Sequence, residues 1–537
     1  MPEFPTSSQM QDRTTLEERV GQLFMPAAFI NDTEEAIGRL ERLIRDYHIG
    51  GLCFFHSPAS AATNFEGEKE IPKNPDSLGN LKSLIRRYQA AASHPLLIAM
   101  DAEWGLAMRI ENGEGYPYAL CLGALEPGDP LIYQTGLRMA ADCREAGIHW
   151  NLAPVADVNN NAANPVIGYR AFGTDPEAVA HRATELFRGL RNGGILGCAK
   201  HFPGHGDTGV DSHLALPVID KTAEALDQVE LAPFRSLIAA GADAVMTGHL
   251  SVPALDPSGM PASLSAAIIQ GTLRGKLGFE GPVISDALNM HAVSKMFPEL
   301  GEVAWRAFAA GNDMLCFAED IPLAHKRICK EGDRGKIDMA FARIWGLKER
   351  VYSENTRPIQ PDFSPAGLRE ELAARCLTAV RATGAPPERF ASDGDTTLVC
   401  AGDMAEVFLH GLKGVVKRPP LHWGWTDTRE AGYPIPATKK VLLALTPPRV
   451  KPANSFGMPP AALEAIRELC KNREVWLCHF GNPYALDLFN LEPLAGILLA
   501  YQPTTEFQGR AAAYFKGDAP APGRLPIPLK TLKLRKP

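Results

Sequence analysis

Residues 193–213 read GGILGCAKHFPGHGDTGVDSH. Gly193 and Gly194 close an amphipathic helical stretch, Glu177 to Asn192, as glycines at helix ends do. Ile195–Ala199 is then an apolar run of strand length. It empties into a loop of Lys, His, Asp and Gly. The same succession recurs through the first 350 residues. Apolar runs lie near 20–25 (VGQLFM), 51–55 (GLCFF), 96–100 (LLIAM), 148–152 (IHWNL), 195–199 (ILGCA), 243–248 (DAVMTG), 282–285 (PVIS) and 312–316 (NDMLC). Helical stretches with i, i+3, i+4 apolar spacing separate them, Ala223 to Ala240 among them. Eight βα units predict an α/β fold of the (β/α)8 barrel type. An open doubly wound sheet is the rival, and the count of eight favours the barrel.

Near 351–366 the texture changes. VYSENTRPIQPDFSPAG is polar and carries three prolines, and it reads as a linker. Residues 367–537 then hold a predicted helix, LREELAARCLTAVRA, and four more apolar runs at 396, 440, 474 and 496. These predict a smaller α/β sandwich domain around a parallel sheet. The Pro-rich tail APAPGRLPIPLKTLKLRKP predicts an extended strap. The expected organisation is therefore a barrel over 1–350, a linker over 351–366 and a second domain over 367–537.

The 537 residues are 45% hydrophobic and 22% charged, ordinary values for a chain that buries large cores. A formal net charge of -7 argues against a strongly basic nucleic-acid binder. No apolar run approaches the roughly 20 residues that a membrane span needs. The N-terminus MPEFPTSSQMQDRTTLEERVGQLF has neither a basic n-region nor an apolar h-region of signal type. The ten cysteines are scattered, with no CxxC pair. Together these predict a cytoplasmic protein; export with a removed leader is the alternative.

In a (β/α)8 enzyme the site forms where the strands end. Here ionisable residues follow five runs: Asp101 and Glu103; Asp157 and, further on, Arg170; Lys200, His201, His205, Asp207, Asp211 and His213; His249; and Asp286. The densest group, Lys200 to His213, has three readings. Its His and Asp residues are possible metal ligands, but Pro203, Gly204 and Gly206 preclude the helical pairing of HExxH sites, and a lysine sits among them. Gly204-x-Gly206-x-x-Gly209 matches GxGxxG, but no apolar helix follows. In the third reading Asp211 orients and polarises His213, since a carboxylate on one imidazole nitrogen fixes the tautomer and raises the basicity of the other. Asp286 has two readings. It caps a helix over ALNMHAVSKMF, or it projects as a nucleophile able to trap an oxocarbenium-like carbon.

These residues resemble glycoside hydrolase family 3, in its β-N-acetylglucosaminidase branch. The resemblance is carried by Lys200-His-Phe-Pro-Gly-His-Gly-Asp-Thr208 with Asp211-Ser-His213, and by Asn151-Leu-Ala-Pro-Val-Ala-Asp-Val158. Pro165-Val-Ile-Gly168 with Arg170, Ile284-Ser-Asp286 and the closing Gly523–Leu529 support it. It implies Asp286 as nucleophile and His213 as general acid/base paired with Asp211. It implies Asp101, Arg170, Lys200 and His201 as ligands of the sugar hydroxyls, with no metal and no cofactor. The expected activity is retaining, exo-acting release of terminal β-linked GlcNAc from peptidoglycan fragments or chito-oligosaccharides. The expected partners are that carbohydrate alone, with no nucleic acid and no membrane, in a monomer or homodimer. A β-glucosidase or β-xylosidase, or a non-catalytic sugar-binding barrel, is the alternative. Two departures stand out. The branch's Asp-Gln-Glu-Gly-Gly-Arg is here Asp101-Ala-Glu-Trp104-Gly-Leu-Ala-Met-Arg109, and Ala287 stands where a second acidic residue is usual.

Overall fold

A computed structural model describes residues 4–58, 73–209, 216–353, 357–402, 406–425 and 432–532. The chain forms two compact units. The first comprises residues 1–116, 132–158 and 176–364, and the second 117–131, 159–175 and 365–537. The sequence expectation ran the barrel unbroken over 1–350. Two segments inside that span, Pro117–Leu131 and Asn159–Asp175, cluster instead with the C-terminal residues.

In the first unit all eight expected runs supply strands. They are β1 (Phe24–Met25, resuming after Pro26 as Ala27–Phe29), β2 (Gly51–Phe55), β3 (Leu97–Met100), β4 (Trp150–Asn151), β5 (Ala199–Phe202), β6 (Val245–Thr247), β7 (Val283–Ser285) and β8 (Leu315–Cys316). Every pairing is parallel. Ala27 pairs with Cys53, Gly51 with Leu97, and Ala99 with Trp150. Single bridges, Trp150 with Leu196 and Val155 with Lys200, join β4 to β5. Val245 pairs with both Ala199 and Val283. Ile284 bridges Met314, and Phe24 pairs with Leu315. The ring closes, so the fold is a (β/α)8 barrel without sheet edges. At one point the closure demands glycine: a Cβ on Gly50 would lie 2.0 Å from the Gln22 carbonyl oxygen.

The helices between strands are α1 (Glu34–Tyr47), α2 (Ser77–Ala91), α3 (Leu131–Ala146), α4 (Pro176–Asn192), α5 (Leu231–Ala239), α6 (Ala267–Lys276, of π type), α7 (Glu302–Ala310), α8 (Ile321–Glu331) and α9 (Arg334–Tyr352). α4 buries Val179, Ala183, Leu186, Phe187 and Leu190, the stripe its spacing predicts. Full burial of a Leu or Phe side chain of this kind contributes roughly 1.5–3 kcal/mol.

Two local expectations are corrected. The first run, 20–25, begins as helix: Thr15 and Glu18 form a capping box, and Leu16–Gly21 is helical before β1 starts at Phe24. The helix expected over Ala223–Ala240 is two helices, Ala223–Gln228 and α5. Pro233 has no N–H for a bond back to Val229, so it belongs in the first turn of a new helix.

In the second unit a six-stranded sheet comprises β9 (Thr378–Ala382), β10 (Thr396–Ala401), β11 (Leu421–Trp423), β12 (Lys440–Leu445), β13 (Glu474–His479) and β14 (Gly496–Leu499), in the order β9-β14-β13-β12-β10-β11. β10 and β14 are buried throughout, and β12 and β13 are buried beyond their first residue. This is the near-continuous apolar pattern of parallel strands covered on both faces. Flanking helices are α10 (Pro365–Cys376), α11 (Pro460–Asn472) and α12 (Thr505–Lys516). The helix expected over 368–382 stops at Cys376. Residues Thr378–Ala382 are instead an edge strand, antiparallel to β14, with a bulge between Ala379 and Arg381. The sheet is therefore parallel except at that edge. The tail is extended as expected, with Gly523 N donating to Leu377 O at 2.9 Å and Thr174 N to Pro526 O at 3.4 Å. Among the described residues no helix is long and apolar enough to cross a membrane.

Candidate active site

Because the eight strands are parallel, their C-terminal ends share one face of the barrel. Asp101 directly follows β3, Lys200 and His201 lie within β5, His249 lies two residues past β6, and Asp286 directly follows β7. The expected residues Asp101, Lys200 and His201 are brought together there.

Lys200 is the centre. Its ammonium lies 2.8 Å from Asp101 Oδ1 and 2.7 Å from Glu103 Oε1, with its own side chain 2% exposed. A buried lysine is tolerated when carboxylates pair it. The other Asp101 oxygen accepts from Arg109 Nη2 at 2.9 Å. Burial pushes the Asp101 carboxyl upward, but Lys200 and then Arg109 overcome that and hold it below the ordinary aspartate value. Two cations and two anions thus form a neutral cluster of convergent donors and acceptors.

His201 is oriented by a fully buried carboxylate. Its Nδ1 donates to Asp157 Oδ2 at 2.8 Å. Asp157 Oδ1 also accepts from the backbone N–H groups of His201, at 3.2 Å, and His205, at 2.7 Å. This leaves His201 Nε2 as the nitrogen aimed elsewhere. His205 packs edge-on to His201, with ring centroids 5.9 Å apart. Thr208 Oγ1 donates to the His205 carbonyl at 3.0 Å, so it accepts from His205 Nδ1 at 2.7 Å. Burial, and next the neighbouring His201, lower the His205 imidazole to about 4, so it is neutral at pH 7. Gly206 lets this loop lie on the segment after β4, since a Cβ there would meet the Val158 carbonyl oxygen at 1.7 Å.

Asp286 caps no helix: the next helical turn is His291–Ser294, with Met290 at its N-cap. Instead Asp286 N donates to Thr247 O at 3.0 Å, tying the residue to β6, and its Oδ1 accepts from Ala287 N at 2.8 Å. Its charge is felt by both His205 and the buried thiol of Cys198, and Asp101 also acts on that thiol. The two carboxylates therefore share the barrel mouth.

Arg170 belongs to the segment Asn159–Asp175 of the second unit, where its Nη1 donates to Val166 O at 3.1 Å. Asp211 and His213 lie outside the described residues. The expected sugar-binding set left out Glu103, Arg109, Asp157 and His249. Three of these announce themselves only as polar residues just past an apolar run. Arg109 has no such signal. It returns to Asp101 because the turn Leu106–Met108 doubles the chain back, with Ala107 N bonded to Glu114 O at 3.0 Å.

The chain is similar to several proteins of known sequence or structure. A "Beta-hexosaminidase A" from Pseudoalteromonas piscicida is 34% identical over 385 residues, 65% of this chain and 62% of that protein. The chain thus spans under two thirds of that relative's length. A "Beta-hexosaminidase" from Alkalilimnicola ehrlichii is 38% identical over 249 residues, 45% of this chain and 70% of that one. A solved glycoside hydrolase family 3 β-N-acetylglucosaminidase from Paenibacillus sp. str. FPU-7 superposes with a TM-score of 0.77 at 28% identity, covering 97% of this chain and 100% of that chain. Residues 15–353, the barrel and its flanking helices, match the "Glycosyl hydrolase family 3 N terminal domain", and the chain belongs to that family.

Proposed function

We propose that the protein is a retaining, exo-acting β-N-acetylglucosaminidase. The observation that carries this reading is the cluster of Lys200, Asp101, Glu103 and Arg109 on the same barrel face as Asp286. Such a cluster offers both donors and acceptors to vicinal hydroxyls of a pyranose, beside a carboxylate free of any helix-capping duty. The hexosaminidase names of the relatives support the 2-acetamido sugar.

In this reading Asp286 attacks the anomeric carbon as the glycosidic C–O bond breaks, and His213, paired with Asp211, gives its proton to the leaving oxygen. Water then attacks the glycosyl-enzyme, returning a proton to His213 and freeing Asp286. Asp101, Lys200 and His201, joined by Arg109, hold the sugar hydroxyls. The natural substrates are GlcNAc-terminated peptidoglycan fragments or chito-oligosaccharides.

Hydrolysis of p-nitrophenyl β-GlcNAc against the glucoside and xyloside tests the sugar class. Preference for either sugar lacking the 2-acetamido group refutes it. Asp286→Ala is expected to lower kcat by roughly a thousand-fold or more. His213→Ala is expected to spare the p-nitrophenyl substrate partly and to abolish cleavage of a natural disaccharide, because a good leaving group needs little acid assistance. Equal loss on both substrates removes His213 from the acid role.

A further inference from the structure

The strand ends divide into two arcs. β3 to β7 lead into ionisable residues. The three contiguous strands β8, β1 and β2 end in phenylalanines: Phe317 directly after β8, Phe29 closing β1 and Phe55 closing β2. Their rings form one cluster, with centroids 6.3 Å apart for Phe29–Phe55, 6.2 Å for Phe29–Phe317 and 5.7 Å for Phe55–Phe317. All three are half-buried, whereas Phe24 and Phe54 are fully buried against rings of the helix layer, His325 and Tyr88. The three rings lie where their strands end and keep part of their surface exposed.

Arg109 joins the two arcs. Its guanidinium carbon sits 5.0 Å from the Phe55 ring centroid while its Nη2 bonds Asp101. The aromatic cluster is thus one side chain away from the Asp101–Lys200 pair. Phe317 adds a second sign of function. Its φ of 48° lies in the left-handed region, which a bulky side chain avoids. Its N–H donates to Met25 O at 2.9 Å, so the strained turn is held in place and aims the ring toward Phe29 and Phe55. Non-glycine residues held this way concentrate at ligand sites.

We propose that Phe29, Phe55 and Phe317 form an aromatic wall that packs against the C–H surface of the terminal sugar, opposite the polar arc that takes its hydroxyls. The proposal rests on the sugar-hydrolase reading above. Its chemistry is complementary: an aromatic face carries negative quadrupole charge, and pyranose C–H groups, polarised by the oxygens on their carbons, present the positive side. The occupant follows from continuity, because the wall and the hydroxyl-binding cluster share Arg109.

The experiment uses the full chain and free GlcNAc, which is not consumed. Wild type must first hydrolyse p-nitrophenyl β-GlcNAc and be inhibited competitively by GlcNAc; failure there sinks the functional reading and leaves the wall out of account. With that control met, Phe29→Leu and Phe55→Leu are expected to raise both Ki for GlcNAc and KM by roughly five-fold, with kcat changed less. Phe55→Tyr, which keeps the ring, is expected to stay within about two-fold of wild type by the same measure. Folded Leu variants with wild-type Ki overturn the proposal. If the Leu variants melt early, proton NMR of GlcNAc on wild type replaces them: upfield ring-current shifts of its C–H protons support the wall, and unshifted signals refute it.

Discussion

His249 Nε2 donates to the carbonyl oxygen of Ala287 at 2.9 Å, so an imidazole past β6 grips the residue that follows Asp286 beyond the end of β7. The carbonyl can only accept, so Nε2 carries the proton, and Nδ1 accepts from the Ser263 hydroxyl at 2.7 Å. His249 is fully buried. Through the Ala287 carbonyl it would act, in the proposed chemistry, as a positioning residue for the Asp286 carboxylate.

His249→Ala should therefore lower kcat roughly ten-fold or more while leaving KM nearly unchanged, because misplacing a nucleophile by a fraction of an ångström is costly. His249→Gln, which can restore a donor to Ala287 O, should recover part of that loss. Steady-state kinetics with a melting curve checks this. A fall in melting temperature with kcat intact would reduce His249 to a structural role.

Lys200→Met should destabilise the fold by about 3–5 kcal/mol, since it removes the ammonium that Asp101 and Glu103 share in a buried site and leaves Arg109 paired with Asp101. Adding Glu103→Gln should return part of the loss, because one uncompensated charge is then gone. Urea unfolding of the single and double variants reads both numbers. The acid limb should change as well. Asp101's depressed carboxyl contributes stability above its ordinary value, and this is lost as pH falls through the lower folded value. Without Lys200 that dependence should flatten.

Lys348, on α9, is fully buried; its ammonium sits 5.3 Å from the Trp345 ring centroid and donates to Gln22 Oε1. Burial lowers it to about 7. An unfolded lysine titrates near about 10.4. Between those values the unfolded chain binds one more proton than the folded one, so stability should rise with pH across that window. Below it both states are protonated and the buried charge exerts its full penalty. Lys348→Met should remove this slope, measured as the unfolding midpoint from pH 7 to 10.

Much of this organisation was legible along the chain because its signals are local. All eight runs became barrel strands, and α4 fell within a residue of its predicted span, since apolar spacing and glycine stops act within one turn. The misreadings were local competitions. The capping box at Thr15 and Glu18 took residues from the first run, and Pro233 restarted a helix. The stretch after Cys376 has helical composition. It became a strand because β14 offered an unpaired edge, an opportunity invisible in residues 368–382. The same holds for Pro117–Leu131 and Asn159–Asp175, whose placement depends on residues hundreds of positions away.

The amino-acid sequence alone determined which runs become strands and which ionisable residues follow them, because residue type and short-range periodicity are written in consecutive positions. Tertiary structure alone decided the partnerships: Lys200 with Asp101 and Glu103, His201 with Asp157, and three phenylalanines from β8, β1 and β2 in one cluster. Ring closure sets these, bringing together strand ends up to about 290 residues apart that share no local signal.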